Sequence, residues 1–173
     1  MNYLPYIVGG YVLGRVTRDH GQRGRRAWAG PKSFFPAIQF PLFHATRGPS
    51  VTNIVMRNQG LVATSGFSRF GGQQGISMSR DLNSLLTRGG VHGNYILVFD
   101  YDELKRHYKI APYQAKGGED EYEERVMTDK IPASRIKGII YRHDPMSYEM
   151  REMATHVSYP LVYRAKDGRW TQW

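Results

Sequence analysis

Glycine and proline interrupt this chain so often that a helical bundle or a coiled coil is excluded. They occur 19 and 9 times in 173 residues. Each glycine loosens the backbone, and each proline ends a helix or breaks a strand ladder. What remains is short strands and short helices joined by many turns. Apolar residues make up 40% and aromatic residues 13%, enough for a buried core and too much for a disordered chain. The absence of cysteine excludes disulfide frameworks, thiolate zinc sites and a cysteine nucleophile. The length suits one ordinary domain with an arm to spare.

Read along its length, the chain divides at about residue 40. Residues 1–39 form an apolar and then basic, glycine-rich arm, and residues 40–173 form the domain. Within the domain, 42–46 reads as a short strand. A helix over 50–58 follows, with Val51, Ile54 and Val55 on one face and Gly60 as its left-handed stop. A Gly/Ser loop over 64–75 contains Phe67 and Phe70. Residues 76–80 alternate as a second strand, and Asp81 caps a short helix through Leu82, Leu85 and Leu86. Residues 95–99, Tyr-Ile-Leu-Val-Phe, are the clearest buried strand. A helix over 102–108, a polar loop over 114–120 and strands over 121–126 and 136–141 come next. A helix over 147–157 and a last strand over 161–164 complete the domain. Short strands interleaved with short helices make an α+β domain rather than a regular parallel α/β one.

The net charge of +9 is unevenly spread. Residues 1–41 hold six bases (Arg15, Arg18, Arg23, Arg25, Arg26 and Lys32) against one acid, Asp19. Residues 15–32 are therefore expected to contact a polyanion. Residues 1–14 are apolar but interrupted by Pro5, Gly9, Gly10 and Gly14. They lack the positive start and cleavage site of a secretory signal, and suit a virion or assembly contact. No apolar run approaches the ~18–20 residues that span a bilayer. The expected location is cytoplasmic or virion-associated.

Three short pieces carry the chemistry. His44 lies on the first strand, Ser77-Met78-Ser79-Arg80 on the second, and Glu119 to Glu124 form an acidic run leading into Arg125 and Val126. A lone strand histidine is more often structural than catalytic, and an acidic run is more often a solvated face. Here, however, the run leads into a Val-ended segment inside the domain. If that segment is extended, Glu121 and Glu123 share one face while Tyr122, Glu124 and Val126 share the other. Two carboxylates on one strand face are costly unless they serve a site. A register slip of one residue would exchange Glu123 for Glu124. The other histidines have no metal-ligand spacing, and no metal is expected.

In order and local sequence these pieces resemble the ADP-ribosyltransferase superfamily, over about residues 40–142. Phe43-His44-Ala45-Thr46 is similar to the Tyr-His-Gly-Thr strand of the diphtheria-toxin and poly(ADP-ribose) polymerase branch. Ser77-Met78-Ser79 and Glu121-Tyr122-Glu123 resemble the Ser-Thr-Ser and Glu-x-Glu elements of the cholera-toxin branch. The resemblance implies an α+β fold with a split mixed β-sheet and short helices, next to an irregular N-terminal arm. It implies a mono-ADP-ribosyltransferase, phage-borne or toxin-like, that moves ADP-ribose from NAD to a macromolecular acceptor, protein or nucleic acid.

In that scheme Glu123 is catalytic, with Glu124 as the alternative, and Glu121 addresses the acceptor. His44, with Thr46 beside it, holds the adenosine ribose. Ser77 or Ser79 orients the catalytic carboxylate, Arg80 pairs with the pyrophosphate, and Phe67 or Phe70 covers the nicotinamide. The 113–120 loop would recognise the acceptor. The related RNA 2′-phosphotransferase reaction usually has an Arg before the strand histidine, and Phe43 stands there instead. A different reading is a non-enzymatic virion or nucleic-acid-associated structural protein on the same fold.

Overall fold

The computed structural model describes residues 30–63, 75–87, 93–115, 118–143 and 147–173; side chains at 114–122 fall outside that description. Strand β4 (Tyr95–Asp100) lies inside the sheet, as its run of β-branched and aromatic residues dictates. Tyr95, Leu97 and Phe99 enter one core, and Ile96 and Val98 enter a second on the opposite face. Asp100 ends the strand and caps α3 (Tyr101–His107), accepting from the N–H groups of Asp102 and Glu103 at 2.9 and 3.3 Å.

β1 (Pro41–Thr46) pairs with β4 over its whole length, from Pro41 opposite Asp100 to Thr46 opposite Tyr95. On its other side β1 meets β3 (Ile76–Ser79) at one position only, Phe43 opposite Ser79. β3 continues to β6 (Gly118–Val126), and β6 to the edge strand β5 (Ile110–Ala115). Beyond β4 lie β8 (Gly138–Tyr141), β9 (Leu161–Arg164) and β10 (Trp170–Gln172). The eight-stranded order is β10-β9-β8-β4-β1-β3-β6-β5. Among the described residues only the β8–β9 pair is parallel, so the sheet is mixed and the domain is α+β. β2 (Leu61–Val62) and β7 (Lys130–Ile131) form a separate ribbon.

The larger core packs α1 (Gly48–Val55) and α4 (Tyr148–Ala154) on one sheet face through Val51, Ile54, Met150 and Met153. The smaller core takes Leu82 of α2 (Leu82–Thr87), together with Phe35 and Ile38. The packed chain therefore begins before residue 40, because Phe35 and Ile38 are as buried as the sheet residues they touch. Residues 1–29, including most of the basic arm, lie outside the described residues. α1 ends at Val55, three residues before the expected end at 58, and the chain then turns through Asn58 and Gly60, both at positive φ. A Cβ at Gly60 would come within 2.5 Å of the Ile131 carbonyl, so this turn against β7 requires glycine.

Other expectations differ as well. The polar loop over 114–120 is largely a hairpin formed by the ends of β5 and β6. Its polar residues have no apolar alternation to mark them as strand. β2, β7 and β10 are also absent from the sequence reading, being only two or three residues long. No helix among the described residues is long and apolar enough to cross a membrane.

The acid stability of the fold should depend on Glu103. Burial pushes its carboxyl upward, but hydrogen bonds from Lys137 (2.6 Å) and Arg135 (2.7 Å) reverse this and hold it below the usual range. A lowered carboxylate pKa adds stability above the unfolded-state value, and that stability is lost as pH falls through the folded-state value. Glu103→Gln should cost up to about 1 kcal/mol at neutral pH, or about 2–4 °C in Tm. The deficit should shrink as pH drops through and below the ordinary carboxylate range. Thermal melts of both proteins from pH 7 to pH 3 check this, and a deficit constant with pH would contradict it.

Candidate functional site

The site lies where β1 and β3 part. Past the Phe43–Ser79 pair, the backbones of 44–46 and 76–78 no longer form a ladder. A side chain spans the gap: His44 Nδ1 lies 2.8 Å from the Ser77 carbonyl oxygen. A carbonyl only accepts, so Nδ1 carries the proton, and in the neutral ring Nε2 carries the lone pair.

A cavity of about 760 Å³ occupies this opening, within the range of sites that hold cofactors and other small molecules. His44, Thr46, Ser77, Ser79 and Glu123 all line it. β6 brings in Glu123 by register. Val126 sits opposite Ile76, and Glu124 opposite Met78. Ile76, Met78 and Val126 enter the larger core, so alternation sends Glu123 and Arg125 to the other face with Ser77 and Ser79.

Glu123 keeps 25% side-chain exposure. Its Oε1 accepts from Ser77 Oγ at 2.5 Å and lies 2.8 Å from Arg125 Nη2. Of the two serines on β3, the one bonded to the carboxylate is Ser77. Ser79 Oγ accepts from the Asp81 N–H at 3.1 Å and lies 3.0 Å from the Asp81 carbonyl and 3.1 Å from Ser84 Oγ. Those contacts tie Ser79 to the turn that starts α2. Gly75, also on the cavity wall, has φ +116°, and a Cβ there would come within 2.5 Å of the Val126 carbonyl. The close approach of this loop to β6 thus depends on glycine.

Arg80 and Glu124 are elsewhere. They form an ion pair at 2.8 Å, Arg80 Nε to Glu124 Oε1, with both side chains buried. Neither residue lines the cavity. Arg80 therefore does not face the space where a pyrophosphate would lie, because Glu124 holds it on the opposite side of β3 and β6. Glu124, the alternative catalytic acid of the sequence reading, is only 2% exposed. Among the described residues, the cations on the cavity wall are Arg125 and Arg47, which the sequence reading does not assign to the site. Alternation could have found Arg125, since it stands two residues after Glu123 on the same strand.

Phe67 and Phe70 lie outside the described residues, as does the Glu121 side chain. The backbone around Glu121 departs from regular alternation. Pro112 faces Glu124 and Gln114 faces Glu119, so residues 120–123 of β6 stand opposite Tyr113 alone. Bulges of this kind re-aim side chains beside sites. Among the described residues, no cluster of His, Cys, Asp or Glu could hold a metal ion.

The arrangement can hold an anionic carboxylate at a fixed place in a cavity with cationic side chains around it. It can also present an imidazole across the same space. No protein-family model, curated protein or solved structure matches the chain.

Proposed function

We propose that the chain is a mono-ADP-ribosyltransferase that cleaves the nicotinamide–ribose bond of NAD and transfers ADP-ribose to a protein or nucleic-acid acceptor. The observation that carries this reading is the meeting of His44, Ser77 and Glu123 on one cavity where β1 and β3 part. That opening also suits the split sheet the resemblance implies. Cleavage proceeds through an oxocarbenium-like transition state, as in glycoside hydrolysis. The Glu123 carboxylate stabilises the positive charge developing on the ribose. The same carboxylate, placed beside the ribose, takes its 2′-hydroxyl. His44 Nε2 accepts from a hydroxyl of the adenosine ribose and fixes the dinucleotide's bend. Arg47, exposed on the cavity wall, offsets the diphosphate charge.

The reading is tested with NAD labelled in its adenylate phosphate, incubated with the protein and a cell extract. Label should enter acid-insoluble material, sensitive either to nuclease or to protease, and should not do so with Glu123→Gln. Label found only in unreacted NAD would contradict the proposal.

The basic arm gives a second, separable expectation. Residues 1–29 hold Arg15, Arg18, Arg23, Arg25 and Arg26 against Asp19. Deleting them should weaken retention on polynucleotide and lower the salt dependence by up to about five phosphate contacts. The packed core, which includes Phe35 and Ile38, is kept. Unchanged retention in a low-salt titration would remove the arm from nucleic-acid binding.

A further inference from the structure

Arg125 lines the cavity, yet its side chain is only 1% exposed. A buried guanidinium needs counter-charge and geometry to match. It finds both in Glu123, two residues earlier on the same face of β6, at 2.8 Å. The same Glu123 oxygen accepts from Ser77 on the neighbouring strand at 2.5 Å. Two donors from two strands converging on one oxygen fix the rotation of the carboxylate about its last bond. This fixing matters because the ladder to β5 breaks opposite Glu123, between Pro112 and Gln114. The residue at that break is Tyr113, and its ring centroid lies 4.4 Å from the Arg125 guanidinium carbon. At that distance the ring attracts the cation and limits its movement.

We propose that Arg125, held against Tyr113, is the positioning residue that aims the Glu123 carboxylate, so that the outer hairpin of β5 and β6 sets the geometry of the reacting group. The proposal rests on the reading of Glu123 as the catalytic carboxylate. Tyr113 acts through Arg125 and does not line the cavity. Arg125 keeps Glu123 directed into the cavity rather than toward water, and a misaimed catalytic group costs turnover more than it costs substrate binding.

The test uses the full chain and the variants Arg125→Met, Arg125→Lys, Tyr113→Leu and Arg125→Met/Tyr113→Leu. Nicotinamide release and NAD affinity by calorimetry are measured on each, corrected for folded fraction. Arg125→Met should lower kcat by about 100-fold, with KM and NAD affinity within about threefold of wild type. Arg125→Lys should recover part of that loss. Tyr113→Leu should lower kcat by about tenfold, and the double variant should be no worse than Arg125→Met, because the two act as one unit. Losses that multiply in the double variant would overturn the proposal, as would Tyr113→Leu turning over like wild type.

A readout independent of turnover is the Glu123 carboxyl resonance in protein labelled with ¹³C-glutamate, assigned by its loss in Glu123→Gln. It should move in Tyr113→Leu as well as in Arg125→Met. A resonance unmoved by Tyr113→Leu would overturn the positioning. If the wild-type protein releases no nicotinamide, the enzyme reading fails and this resonance alone decides whether Tyr113 and Arg125 aim Glu123.

Discussion

Glu123→Gln should reduce nicotinamide release by about 10²–10³-fold, the scale of removing one preorganised electrostatic group from an active site. Glutamine keeps the shape and can still accept from Ser77, but it removes the charge that the oxocarbenium requires. NAD affinity should stay within about threefold, because the lost interaction belongs to the transition state. The variant should also melt lower than wild type, since Arg125, 1% exposed beside it, loses the anion at 2.8 Å. Turnover therefore has to be corrected for folded fraction. Equal nicotinamide release by the corrected variant and wild type would remove Glu123 from the reaction.

The neighbouring residue should behave in the opposite way. Glu124→Gln should cost about 3–5 kcal/mol of folding stability, because it takes the charge partner from buried Arg80. That is a large share of the roughly 5–15 kcal/mol that holds a domain of ordinary stability together. The double variant Arg80→Met/Glu124→Leu replaces the pair with apolar side chains of similar volume and should regain most of the loss. The pair also bears on register. A slip of one residue between β3 and β6 would exchange Glu124 for Glu123 at the cavity, and the Arg80–Glu124 contact opposes that slip. Urea unfolding of the single and double variants measures both effects. A Glu124→Gln protein within about 1 kcal/mol of wild type would contradict the account.

These two adjacent glutamates show what was legible in the sequence and what was not. Val126 gave the alternation an apolar anchor, so the turning of Glu123 away from the core could be read from residue types alone. Alternation also puts Glu124 on the Val126 face, but only the fold shows that it is buried there. Read separately, Arg80 suggests a phosphate ligand and Glu124 an alternative catalytic acid. They are far apart in sequence, and only the β3–β6 register brings them together. Arg125 was legible by the same alternation that placed Glu123, but nothing local marked it as buried. Residues 95–99 announced themselves as a strand because both faces are apolar. The hairpin over 110–126 did not, because its polar outer half resembles a loop until a partner strand is known. His44 and Ser77 were legible as motif residues. The hydrogen bond joining them across the parted strands was not, since it depends on where β1 and β3 cease to pair.

The central claim is that the cavity between β1 and β3 breaks the nicotinamide–ribose bond with Glu123. The most direct measurement is chromatography of nicotinamide released from NAD by the purified protein, without acceptor, for wild type, Glu123→Gln and Ser77→Ala. The account predicts release by wild type and a drop of about 10²–10³-fold for Glu123→Gln. Ser77→Ala, which removes one of the two donors on Glu123 Oε1, should fall between them. Release that is the same in all three proteins, or absent from folded wild type, would contradict it.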